Sequence, residues 1–146
     1  MRRFLIVASV ALLPLAFAPS AGAKHERSFF GLRSFVGLWE GIDPVDGGDS
    51  LRSITCFEDR SCQLAATDSV ITLCGGGTGF VGSTGGLEGD ELVFPDAVLT
   101  CPDGSTTVDL RISYRRDRRN RTLVETVVVV SSGDTLPNIV FHRISE

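Results

Sequence analysis

The stretch that decides the fold is Thr107-Val108-Asp109-Leu110-Arg111-Ile112-Ser113-Tyr114-Arg115. Val108, Leu110, Ile112 and Tyr114 alternate strictly with polar neighbours, so an extended chain here has one buried and one wet face. Residues 122–130 repeat an extended, Val-rich composition. The intervening Arg116 to Arg121 segment is polar and carries Asp117 and Asn120, which accept turn geometry, so the two runs predict a hairpin. Further extended runs are expected at 35–42, 50–57, 62–73, 79–84, 91–94 continuing through 97–100, and 138–144.

The runs are separated by turn chemistry: Asp43-Pro44-Val45-Asp46-Gly47-Gly48, Gly85-Gly86-Leu87-Glu88-Gly89-Asp90, Pro102-Asp103-Gly104 and Ser132-Gly133-Asp134. Outside the N-terminal leader no window keeps the three- and four-residue apolar spacing of a helix. About eight short strands with short connections predict an all-β domain. An antiparallel up-and-down barrel fits best, and a β-sandwich is the alternative.

The N-terminus reads as an export signal. Met1-Arg2-Arg3 is basic, residues 4–17 are almost wholly apolar, and Ala21-Gly22-Ala23 offers small side chains for cleavage. The mature chain is expected to start near Lys24, with residues 24–34 as an arm or a short capping turn and 35–146 as one β-barrel domain. The apolar run is too short and wrongly flanked for a transmembrane segment. The expected location is therefore periplasmic or extracellular, and no Cys follows the small residues to accept a lipid anchor.

Two of the fourteen Lys and Arg fall in the leader, which leaves twelve cations against eighteen acids, a net charge of about −6. That balance disfavours general nucleic-acid binding. Cys56, Cys62, Cys74 and Cys101 form an even set in an exported chain, which argues for disulfides with three pairings open. A tight hairpin over residues 57–61 would place Cys56 opposite Cys62 and leave Cys74 for Cys101. Strands one apart are about 10 Å from each other, so that second bridge has to form at strand ends or in a loop. No C-x-x-C or adjacent His supports a metal site, and no cofactor is expected.

The first mature strand carries Gly37-Leu38-Trp39, and the last ends Phe141-His142-Arg143. This pairing of a G-x-W triplet with a late Arg resembles the lipocalin-like (calycin) barrels. The resemblance covers only the two ends of the chain. It implies that barrel closure lays Arg143 across the Trp39 ring, and that a small apolar ligand is held inside the barrel. Inward residues expected to line such a site are Phe80, Val108, Leu110, Ile112 and Tyr114.

Other constellations point elsewhere. Arg115, Arg116, Arg118, Arg119 and Arg121 crowd the predicted hairpin tip and suit an anionic envelope, glycan or protein surface. They equally suit a solvated tip that blocks edge pairing, and no interleaved aromatic supports nucleic-acid stacking. Asp43, Asp46 and Asp49 share a loop but lack the rhythm of a calcium site, so they read as turn residues. Gly75-Gly76-Gly77-Thr78-Gly79 lacks the Lys-Ser/Thr and helix of a phosphate loop.

His25 and His142 have no nucleophile motif with them, and the expected role is non-catalytic: binding or structural. Val124, Val128 and Val130 on one side and Val127 and Val129 on the other give the seventh run two apolar faces, which implies cover by another layer or a homo-oligomer.

Overall fold

The computed structural model describes residues 31–71, 74–104 and 107–145. The expected leader at 1–23, the expected start near Lys24, His25 and the expected arm up to residue 30 lie outside the described residues. Eight strands run β1 Gly37–Ile42, β2 Asp49–Cys56, β3 Cys62–Ile71, β4 Gly77–Glu88, β5 Glu91–Thr100, β6 Thr107–Asp117, β7 Thr122–Val129 and β8 Ile139–Ser145. Each is antiparallel to its sequence neighbour, and β8 returns to β1 to close the barrel. Closure settles the choice between barrel and sandwich. Among the described residues no helix is long and apolar enough to cross a membrane.

The β6–β7 hairpin pairs in continuous register from Asp117↔Thr122 to Leu110↔Val129. Asp117 Oδ1 fastens its turn by accepting from the Arg119 and Asn120 backbone N–H groups.

Two segments depart from the sequence expectation. Residues 85–88 continue β4 instead of forming a turn, and only Gly89 and Asp90 reverse the chain. The strand crosses Gly85 through a register irregularity between Gly82 and Gly86. A Cβ on Gly85 would lie 2.0 Å from the Val93 carbonyl oxygen, so this glycine permits a close strand approach and does not mark a reversal. Phe80 is the second correction. It points outward and is 48% exposed, while its neighbour Val81 is buried. Glycines on both sides of this pair hide which face is apolar.

The β2–β3, β4–β5 and β6–β7 turns share one end of the barrel with residues 31–36, and the longer β1–β2, β3–β4, β5–β6 and β7–β8 connections share the other. The first end is sealed. Leu32 and Phe35 from a helical turn at 31–33 and its continuation are 1% and 3% exposed, so residues that precede β1 cap the core.

Trp39 is fully buried on β1 and donates its indole N–H to the Phe35 carbonyl at 2.8 Å. Arg143 pairs with it across the β1–β8 seam and stacks 4.5 Å from its ring, an arrangement worth about 0.5–2 kcal/mol. Gly37 holds φ at 133°, a conformation that favours glycine, which explains the first member of the triplet. Trp39, Leu92, Phe94, Leu123 and Phe141 fill this half of the interior.

Both disulfides form at strand ends or beyond them. Cys56 and Cys62 flank the β2–β3 turn as a register pair, with Cα atoms 4.0 Å apart. Cys74 lies in the β3–β4 connection and Cys101 just after β5, 5.4 Å apart by Cα, so the bridge bypasses the intervening β4 at the open end.

Candidate functional site

The open half of the barrel holds a cavity of about 210 Å³ beneath the long loops. Its walls are apolar, built from Val81, Leu99, Leu110, Ile112, Val127 and Val129. Arg52, Asp68 and Glu125 form its polar base, and Asp43, Asp46, Leu136 and Pro137 stand at its mouth.

The base is an ion network inside an otherwise apolar lumen. Strand alternation turns Ser50, Arg52 and Ile54 inward on β2, and Leu123, Glu125, Val127 and Val129 inward on β7. Arg52 is 3% exposed and Glu125 1%. The guanidinium grips Glu125 with two parallel bonds, Nε to Oε2 at 2.7 Å and Nη2 to Oε1 at 2.8 Å. It reaches Asp68 with Nη1 at 2.9 Å and Nη2 at 3.3 Å, and its Nη1 also donates to the Leu51 and Thr67 carbonyls. Tyr114, opposite Glu125 in the β6–β7 register, donates its hydroxyl to Glu125 Oε2. Phe141 supports the guanidinium from below, 4.8 Å from its ring centre.

Burial alone would lower the Arg52 guanidinium, but the Glu125 charge and hydrogen bonds, with smaller contributions from Tyr114 and Asp68, hold it well above its ordinary value. Burial first, and the Glu125 charge second, push the Tyr114 hydroxyl well above its ordinary value. Arg52 is therefore a permanent cation and Tyr114 a neutral donor.

Of the residues expected to line a ligand site, Leu110 and Ile112 do so. Tyr114 is buried one layer deeper, where it meets Phe94 and Phe141 edge-on at 6.0 and 6.5 Å. Val108 packs half-buried at the core margin, and Phe80 lies on the outer wall. Arg52, Asp68 and Glu125 were not anticipated. The available signal was the alternation that places Glu125 on the Val127 and Val129 side of β7.

The five arginines of the hairpin do not act as one patch. Arg116 turns back over Trp39, 5.7 Å from its ring, and donates to the Ser34 carbonyl, which also accepts from Arg143 at 2.8 Å. Burial, followed by the charges of Arg143, Arg118 and Arg121, lowers the Arg116 guanidinium from its ordinary value. Arg115, Arg118, Arg119 and Arg121 remain exposed.

Asp43 and Asp46 accept from the backbone N–H groups of Val45 and Gly48, as turn residues do. No group of three metal-ligating side chains occurs among the described residues. Gly75 and Gly76 form a turn with positive φ. His142 is exposed on the outer wall of β8, level with Glu40. The outer side of β7 carries half-buried Val124, Thr126 and Val128, and Leu136 from the following connection folds back to bond Val127. No protein-family model, curated protein or solved structure matches this chain.

Proposed function

We propose that this protein is an exported, non-catalytic, lipocalin-like binding barrel that holds one small, mostly apolar molecule in the open half of its lumen. The cavity carries this reading: mostly aliphatic residues surround a space of about 210 Å³ that the protein's own side chains leave unfilled, whereas aromatic residues pack the opposite half. An apolar cavity of roughly 150 Å³ is enough to hold benzene, so this one has room for a single ring with a short substituent. Two disulfides suit an oxidising compartment, which agrees with the leader.

The test is a titration of the full chain with ethylbenzene, followed by methyl resonances of the wall residues. Saturable shifts at Leu99, Leu110 and Val127 are expected, and Val129→Phe, which narrows the entrance, should weaken them. An unchanged spectrum at saturating ligand would remove the carrier role.

A second reading uses the closed end, where Arg115, Arg118, Arg119 and Arg121 stand exposed at and beside one hairpin turn of an acidic protein. These four would dock on an anionic surface. Attachment to anionic vesicles should then fall steeply with salt, and persistence at high ionic strength would exclude it.

A further inference from the structure

The hydrogen-bonding capacity at the base of the cavity is one-sided. Arg52 has five N–H groups. Their acceptors are both Glu125 oxygens, both Asp68 oxygens and the Leu51 and Thr67 carbonyls, so no donor is left for a ligand. The Tyr114 hydroxyl is spent on Glu125. Asp68 is different: each of its oxygens accepts a single bond from Arg52, one of them at 3.3 Å, and its side chain is 15% exposed at the cavity base.

Among the described residues that line the cavity, Arg52 is the one cation and Asp43, Asp46, Asp68 and Glu125 are four carboxylates. A ligand carboxylate would therefore meet an excess of three negative charges with every guanidinium donor already engaged. A protonated amine would meet open carboxylate lone pairs beside apolar walls.

We infer that the cavity selects small monocationic amines carrying one apolar ring, with the ammonium group seated on Asp68 and the ring against the aliphatic walls. This assignment rests on the binding-barrel reading above and adds the ligand's charge to it. Arg52, which at first sight invites an acid, serves here to hold Asp68 and Glu125 in place.

The experiment compares three ligands that share a phenylethyl unit by calorimetry on the full chain with its disulfides formed: 2-phenylethylamine, 3-phenylpropionate and ethylbenzene. The charge-assisted hydrogen bond to Asp68 should make the amine bind at least about tenfold more tightly than the carboxylate. Asp68→Asn should reduce that preference severalfold while leaving ethylbenzene binding in place. Val129→Phe should weaken the amine and ethylbenzene together, which ties both to the same cavity and needs no change in the ion network. A preference below tenfold, or one untouched by Asp68→Asn, overturns the assignment of charge; if ethylbenzene still binds, the cavity reading survives it. Failure of all three ligands to bind overturns both.

Discussion

Arg52 on β2 and Glu125 on β7 meet inside the barrel through two parallel hydrogen bonds of 2.7 and 2.8 Å, although 73 residues separate them in the chain. Both side chains are almost wholly removed from water. Such a pair recovers the cost of desolvation only while both members are present.

Removing one member should therefore hurt far more than removing both. Glu125→Leu alone leaves the Arg52 charge short of its main partner and is expected to cost about 3–5 kcal/mol, whereas Arg52→Met with Glu125→Leu should cost much less. Urea unfolding of the two single variants and the double variant gives the coupling directly. Additive losses would show that the two residues act independently.

Tyr114 is the single tyrosine of the chain, so tyrosinate absorbance reports it alone. Its proton is held more tightly in the folded than in the unfolded protein, where tyrosine ionises near pH 10. The associated stability is present below about pH 10 and is lost as pH rises further. Tyrosinate should appear together with loss of the near-ultraviolet circular dichroism, in one alkaline transition. A simple ionisation near pH 10 with the fold intact would contradict this.

The two disulfides should differ in worth. Cys74–Cys101 closes a separation of 27 residues and Cys56–Cys62 one of 6. Loop-closure entropy then gives about 3–4 kcal/mol for the first and about 2 kcal/mol for the second. Denaturation of the two paired Cys→Ala variants checks the order, and equal losses would mean that the unfolded chain is not the state these bridges act on.

Gly85 and Gly82 lie on the same strand and should respond oppositely to alanine. At Gly85 the added methyl meets the Val93 carbonyl, and a loss of about 2 kcal/mol or more is expected. At Gly82 nothing lies within 4 Å, so Gly82→Ala should be neutral or slightly stabilising, by up to about 1 kcal/mol. Thermal melting of both variants decides it.

The alternation of β6 and the turn residues beside it made the barrel strands legible, because period-two burial writes itself directly into residue order. Closure was legible through Trp39 and Arg143, and the Cys56–Cys62 bridge through hairpin geometry, with Cys74–Cys101 left only as the remaining pair. The cavity base was not. In β2 the apolar residues Leu51 and Ile54 fall on opposite faces, so no alternation marks Arg52 as inward, and the general rule that charged residues stay in water argues the wrong way. Glu125 breaks the same rule, and the two exceptions make sense only together, as partners that sequence separation conceals. Phe80 erred for the opposite reason: an aromatic residue among glycines reads as core until a register shows it facing water.

The span between Arg52 and Glu125 also has a bearing on the order in which the molecule assembles. The β6–β7 hairpin can zip from its own turn, whereas the Arg52–Glu125 clasp joins the second and seventh strands of the ring, a contact of long sequence separation. A contact of such long sequence separation is expected to form after the rate-limiting step of folding, so weakening it should hasten unfolding and leave refolding speed nearly unchanged. The clasp is in that sense a latch: it is expected to govern how long a finished barrel lasts and to contribute little to how quickly the barrel is made.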